Sequence, residues 1–371
     1  MASTTTSAVL VRPRTIELQD FPIPEVGAED GLLRVEGTGI CGSDWDPYAN
    51  PHGLLSGRLP LILGHEIVGR VERLGAVAAA RWGLVEGDRV VLEETIPCGR
   101  CRTCRTGRYR ACNSLVVPGE GRFYGYTPVE EPPHLWGGFG EYVYLHPNAM
   151  VHKIAESVPV DVAPLFIPIA NGIEWVQRVG GAGVGATVVV QGPGQHGLGC
   201  VIGAKEAGAE SIIVLGTSRD THRLALARQL GATHTFDVEV DDVVAKVAAI
   251  TGGRMADVVV DVTDGAPGTL AQALDLIAQD GTIIAAGLKD MRPLEGFLSD
   301  KLIIKGATLR GVQGHDLLSV VPALRLVESG RYPLEALCTH TFPLDRCDEG
   351  LRTIGGEGAA DALHVTILPP S

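Results

Sequence analysis

Seven side chains able to hold metal fall into two groups in this 371-residue sequence. Cys98, Cys101, Cys104 and Cys112 follow one another within a single stretch of chain. Four thiolates so spaced can converge on Zn²⁺ as a closed tetrahedron, the arrangement of structural zinc sites. Arg100, Arg102, Arg105, Arg108 and Arg110 are interleaved with them, which raises the alternative of a nucleic-acid-binding ribbon. Such ribbons separate paired knuckles by about a dozen residues or more. The chain also carries 31 Lys+Arg against 44 Asp+Glu, a net charge of −13, which opposes binding to phosphate backbones or anionic lipid. The second group is Cys41 with His65 and Glu66, in Gly39-Ile40-Cys41-Gly42-Ser43-Asp44 and Gly64-His65-Glu66. A thiolate, an imidazole and a carboxylate form a mixed S/N/O set suited to a catalytic zinc.

A third motif carries no metal donors. Val188-Val189-Val190-Gln191 runs into Gly192-Pro193-Gly194-Gln195-His196-Gly197, a G-x-G-x-x-G that follows an apolar strand and opens a helical pattern. In a βαβ unit Gly192 makes the tight turn, Gly194 lets backbone approach a pyrophosphate, and Gly197 allows close helix–strand packing. The glycine-rich Gly180–Gly185 precedes the strand instead and reads as a connecting turn. The next strand, Ser211 to Leu215, should end in the Asp or Glu that holds an adenosine ribose. It ends in Gly216-Thr217-Ser218-Arg219. Hydroxyls and an Arg suit a 2′-phosphate, so the expectation leans to NADP over NAD, with Asp220 the residue that could still reach a ribose.

The surrounding elements divide the chain. From Val9 to Pro159 short β-like runs are broken by Gly and Pro. From Asp161 apolar strands alternate with helical patterns, which implies a parallel sheet. After Gly311 the pattern returns to mixed segments ending in a strand over Ala362 to Leu368. The expected organisation is α/β, with a β-rich domain (1–160 and 311–371) split around a dinucleotide-type domain (161–310), and a four-Cys lobe at 97–113. No apolar run approaches the ~18 residues of a membrane helix. Met1 to Ser7 carry no signal-peptide pattern, so a soluble cytoplasmic protein is expected, without nucleic-acid or membrane partners.

Together the three motifs resemble the zinc-dependent medium-chain dehydrogenase/reductase family, of the alcohol and sorbitol dehydrogenase type, over nearly the whole chain. The resemblance implies a GroES-like catalytic domain split around a doubly wound Rossmann domain. It also implies two Zn²⁺ per chain, an NAD(P) cofactor and a homo-dimer or homo-tetramer. It places the structural zinc on the four-Cys lobe and the catalytic zinc on Cys41 and His65. Ser43 matches the hydroxyl that takes the alcohol's proton, Asp44 the carboxylate that orients the His ligand, and Asn171 a position beside the nicotinamide. Besides the missing acid after Ser211–Leu215, two positions depart from the pattern. The usual third zinc ligand falls on Ile167, so Glu66 is expected to complete the site with water, as in the sorbitol branch. The usual proton-relay His falls on Asp46.

The activity so implied is hydride transfer between an alcohol and NAD(P)⁺. Ile167 removes a charge that polyol enzymes place beside the zinc. With Trp45 and Tyr48 close to Cys41 in sequence, this leads to an expected preference for apolar, secondary or cyclic alcohols and their ketones. The alternatives are a polyol, sugar or threonine dehydrogenase, a metal-independent enone or quinone reductase, and a non-catalytic zinc scaffold. Cys41, His65 and the four-Cys lobe speak against the reductase, and Ser43 with Asp44 against the scaffold.

Overall fold

The computed structural model describes residues 4–53, 58–116, 122–294 and 296–370. The chain forms two compact units, Met1–Leu165 with Leu324–Ser371, and Phe166–Ala323. In the first, a seven-stranded sheet is centred on Gly31–Gly39, which is flanked by Glu66–Leu74 and His364–Leu368. The last strand lies antiparallel to the first of these, Thr366 opposite Gly39. This pairing joins the two ends of the chain into one unit. Leu33, Val35, Ile67, Val90 and Leu92 fill one core against this sheet. Val9, Ile40, Ile62, Phe139 and Ile367 fill the other.

The second unit is a six-stranded parallel sheet. Its order in space is His234–Asp237, Ser211–Gly216, Thr187–Gln191, Ala256–Asp261, Ile277–Ala285, Thr308–Gly311. That is the doubly wound order, with its reversal beside Thr187–Gln191, where ligands bind at the carboxyl ends of the strands. All five residues of Thr187–Gln191 are buried, as expected for a β-branched run covered on both faces. The following helix, Gln195–Ala207, ends at Gly208 in the left-handed region (φ 80°), the usual glycine stop.

Residues 311–323, expected with the β-rich domain, belong to the second unit. Hydrogen bonds account for this: Val312 N donates to Ala285 O (3.1 Å), Trp175 Nε1 to Gly314 O (3.0 Å), and Ser319 Oγ to Glu174 Oε2 (2.6 Å).

Helix Phe166–Ile173 lies directly on helix Gln195–Ala207 through glycines. A Cβ on Gly172 would run into the carbonyl of Gly199, and one on Gly199 into the carbonyl of Pro168. Replacing an exposed helical Gly by Ala gains about 1 kcal/mol, whereas forcing a methyl into a packed interface costs about 1–3 kcal/mol. Gly199→Ala is therefore expected to lower the urea midpoint at unchanged slope. A raised midpoint would show that the two helices separate at no cost.

Candidate functional site

Local backbone geometry brings Cys41, His65 and Glu66 together. Gly39 pairs with Glu66 across the sheet. Cys41, two residues on, caps the helix Gly42–Ala49. A Cβ on Gly39 would stand 2.5 Å from Glu66 Oε2 and 2.7 Å from His364 Cε1, so only glycine lets both side chains reach this point. Gly64 turns the chain into His65 with φ 84°, and a Cβ there would meet Phe139 at 2.5 Å. One donor atom each from Cys41, His65 and Glu66 lies within 4.8 Å of the others, all three residues buried. This set could hold a metal ion.

Asp44 is fully buried behind the set. Its Oδ2 accepts from Cys41 N (2.9 Å) and its Oδ1 from Gly64 N (3.3 Å). Oδ1 also lies 3.4 Å from His65 Nδ1. One carboxylate thus holds both chain segments. Burial pulls the His65 imidazolium down, but Asp44 and then Cys41 outweigh it and hold its pKa well above the ordinary value. Burial, and next the Cys41 thiol, push the Glu66 carboxyl well up. Such a donor set, costly to bury as separate charges, fits a divalent cation that a thiolate and a carboxylate would formally neutralise.

Ser43 is exposed at the rim, its Oγ 2.7 Å from Tyr126 Oη. The Tyr126 ring lies 5.1 Å from that of His65, centroid to centroid. Burial, then Asp44 and Cys41, raise the Tyr126 phenol well above its ordinary pKa. Tyr126 is a site residue that the sequence did not reveal, as no spacing ties it to Cys41 or His65. His364, whose Nδ1 lies 3.9 Å from Glu66 Oε2, is another. Trp45 and Tyr48 turn elsewhere. Tyr48 is buried, donating from Oη to Asp348 Oδ1 (2.6 Å) and accepting from Arg352 Nε (3.0 Å). Trp45 packs on Tyr48 and against Gly355. Both face the helix Cys347–Ile354, so the expected apolar wall loses them. Asp46 Oδ1 accepts from Asn50 Nδ2 (3.2 Å) within its own helix turn.

The four thiol sulfurs of Cys98, Cys101, Cys104 and Cys112 also lie within 4.8 Å of one another. Cys98 N donates to Cys112 Sγ (3.3 Å), and Thr103 Oγ1, 3.1 Å from Cys101 Sγ, leads the interactions that bring the Cys101 thiol down to about 5. Donors directed at the Cys101 and Cys112 sulfurs suit thiolates, the ligand form, whereas burial holds the Cys104 thiol up. The lobe is tied down by Tyr109, whose Oη donates to Glu93 (2.6 and 2.8 Å). Glu93 is buried and also meets His152 Nε2 at 2.6 Å.

In the second unit Gly192 has φ 100°. A Cβ on Gly197 would strike the Gly192 carbonyl, while one on Gly194 would meet nothing within 4 Å. The turn is closed on the helix side and open where a phosphate group would approach the helix N-terminus. Asn171 is buried, sharing a 2.8 Å hydrogen bond with His315 Nδ1 and lying 3.4 Å from His196 Nδ1. Ile167 is buried and offers no donor. At the end of Ser211–Gly216, Gly216 sits against Pro193, and Thr217, Ser218 and Arg219 follow. Asp220 Oδ2 accepts from Thr217 N and Oγ1 (2.9 and 2.7 Å), closing its own turn. Ser218 donates to Asp237 and Glu239, two residues that sequence reasoning did not single out.

Two family models match the chain: an alcohol dehydrogenase GroES-like domain over residues 27–156 and a zinc-binding dehydrogenase domain over residues 197–329. A Mycobacterium tuberculosis protein named "Probable alcohol dehydrogenase adh" is 40% identical over 364 residues, 97% of each chain. The erythritol/L-threitol dehydrogenase of Mycolicibacterium smegmatis is 31% identical, covering 96% of this chain and 95% of its own. Among solved structures, an alcohol dehydrogenase from Thermotoga maritima superposes with a TM-score of 0.86 at 27% identity, over 100% of both chains.

Tyr109→Phe removes the hydroxyl from a buried carboxylate, and a buried group left short of a partner costs about 1–3 kcal/mol. Lower thermal stability and faster thiol modification of the lobe are expected. Unchanged modification kinetics would show that Glu93 does not anchor it.

Proposed function

Because the chain belongs to the zinc-dependent medium-chain dehydrogenase family, an oxidoreductase family of the alcohol dehydrogenase type, we propose that it transfers a hydride reversibly between an alcohol carbon and a nicotinamide dinucleotide. The observation that carries this reading is the buried Cys41–His65–Glu66 set with Asp44 behind it and the Ser43 hydroxyl at its rim. A metal-independent reductase needs none of these groups, and a mere scaffold does not need Ser43.

When bound, Zn²⁺ supplies Lewis acidity that lowers the pKa of an alcohol, and the nicotinamide supplies the hydride acceptor. Cys41, His65 and Glu66 would hold the metal, with Glu66 in place of the donor that Ile167 cannot provide. Asp44 fixes the direction of the His65 ring, as carboxylates behind metal-bound histidines do. Ser43 Oγ would accept the substrate proton as it releases its own hydroxyl proton to the solvent it faces, with Tyr126 Oη, 2.7 Å away, holding that hydroxyl in place. Cys98, Cys101, Cys104 and Cys112 would hold the structural zinc. Gly194, between the turn at Gly192 and the packed Gly197, would receive the pyrophosphate, and Gly216 to Arg219 the adenosine end. Asn171, oriented by His315, would face the nicotinamide. The lean to NADP rests on Arg219, whose neighbours oppose it.

For the substrate we retain apolar secondary or cyclic alcohols. The family resemblance at Ile167 favours this choice, and so, independently, does the Tyr126 ring beside His65; Trp45 and Tyr48 lend it nothing. The Ser43–Tyr126 hydroxyl pair and the similarity to the erythritol enzyme favour a polyol as the second reading. Buried substrate hydroxyls left unpaired would cost about 1–3 kcal/mol each, so the two readings separate by kcat/KM. Cyclohexanol-type alcohols are expected to exceed sorbitol and xylitol by roughly tenfold or more. A polyol preferred by that margin would overturn the apolar pocket.

Metal analysis tests the site itself. With two donor sets, two zinc ions per chain are expected, and Cys41→Ala should lose one of them together with activity while the fold persists. Asp44→Asn should weaken that zinc by about 10–100-fold in chelator competition. A single zinc that survives Cys41→Ala but vanishes in Cys101→Ala would remove the catalytic-zinc assignment.

A further inference from the structure

In dinucleotide-binding sheets the acid that recognises the adenosine ribose stands at the end of the second strand. Here that strand, Ser211–Gly216, ends without one. The neighbouring parallel strand, His234–Asp237, ends in an acid. Gly216 is in register with Asp237, so the Asp237 carboxylate lies level with the place where the sequence lacks an acid. Ser218 Oγ donates to Asp237 Oδ2 at 2.5 Å, and Ser218 N donates to Glu239 Oε2 at 2.9 Å. Thr217 N and Oγ1 both donate to Asp220.

The two backbone amides and two hydroxyls of Thr217 and Ser218 are therefore all engaged by carboxylates. A 2′-phosphate would need those donors. To take them it would have to displace a carboxylate from each and then remain beside charges of its own sign, an arrangement that costs affinity in a partly desolvated site. The cations nearby are Arg219, which is exposed, and Arg223, already 3.6 Å from Asp220. Thr217 and Ser218 thus already hold three carboxylates, Asp220, Asp237 and Glu239. A ribose 2′-hydroxyl meets the opposite situation, since it is itself a donor and finds carboxylates already fixed in place.

We propose that Asp237 and Glu239 are specificity-determining residues that make this adenosine pocket select the 2′-hydroxyl of NAD over the 2′-phosphate of NADP. The proposal rests on the dinucleotide reading given above and reverses the preference that Arg219 alone suggests. Asp220, which closes its own turn by taking the Thr217 donors, adds to the bias against the 2′-phosphate.

Calorimetric titration with ADP-ribose and 2′-phospho-ADP-ribose tests the pocket without involving zinc, nicotinamide or turnover. The wild-type protein is expected to bind ADP-ribose at least about tenfold more tightly, the scale of one charge-assisted contact. In the double variant Asp237→Asn/Glu239→Gln that ratio should fall by about tenfold or more, chiefly through tighter binding of the 2′-phosphate. Glu239 is exposed, so Glu239→Gln alone should fold normally and shift the ratio several-fold in the same direction. Parallel kcat/KM values for NAD⁺ and NADP⁺ should follow the binding ratio. A wild-type preference for the 2′-phosphate, or a ratio that neither variant moves, overturns the proposal. Failure of the wild type to bind either probe would instead overturn the dinucleotide reading on which it rests.

Discussion

The first unit depends on one close approach, that of Gly39 to Glu66 and His364. The central strand must pass within van der Waals distance of a buried carboxyl and a buried imidazole, and a single Cβ would collide with both. Burying Glu66, His65 and Asp44 together is expensive, because each charge removed from water costs several kcal/mol unless it is paired. The sheet around them makes this tolerable. Strand pairing fixes Gly39 opposite Glu66 and Thr366 opposite Gly39. Asp44 then bonds the backbone on both sides of the cluster. Rigidity here has a chemical use. Donors that cannot relax apart stay directed at the position a cation would take, and that preorganisation is what makes a metal site selective and a Lewis acid effective.

The second unit uses the same device for a different purpose. Gly172 and Gly199 bring two helices into backbone contact, and Gly197 brings the second of them onto the turn at Gly192. Their effect is to fix where the N-terminus of Gln195–Ala207 lies relative to the strand ends. Gly194 is the exception, with open space where its side chain would be. In one short motif, then, some glycines are required by crowding, and another has open space beside it that the proposed dinucleotide would use. Substitution at the first kind strains the fold, whereas at the second it would obstruct a ligand. The sequence pattern treats them alike, and the geometry separates them.

What could be read from the chain alone follows from how local each signal is. The four-Cys lobe, the glycine turn and the alternation of strands and helices are each contained in a few dozen residues, so their spacing carries the structure directly. Cys41 and His65–Glu66 were legible as donor types, but only strand pairing shows that they meet. Tyr126 and His364 lie far along the chain from the cluster and bear no motif, so nothing short of the fold could place them there. Trp45 and Tyr48 misled for the opposite reason. They are near Cys41 in sequence, but in three dimensions they pack on the helix Cys347–Ile354, toward Asp348 and Gly355, contacts with a segment some 300 residues away that no local spacing announces. Residues 311–323 group with the parallel sheet, although in sequence an edge strand and its following segment look like a return to irregular structure. Hydrogen bonds from Val312 and Ser319 hold them in the parallel sheet's unit.

The adenosine end shows where a positional rule gives way to a physical one. The rule asks for an acid at the tip of the second strand. The underlying requirement is an acceptor oriented at a particular point in space, whichever strand carries it. Parallel pairing in register makes neighbouring strand tips equivalent for this purpose, since Gly216 and Asp237 occupy the same level of the sheet. An acid at one tip can therefore substitute for the other, provided that a donor between them holds it in place. Ser218 is such a donor, with its hydroxyl on Asp237 and its amide on Glu239. A hydroxyl and an Arg in sequence, which by type suggest phosphate, become in three dimensions a clamp on two carboxylates with an exposed guanidinium beside it. Residue type sets what a group can do, and the partner already bound to it decides what remains for a ligand.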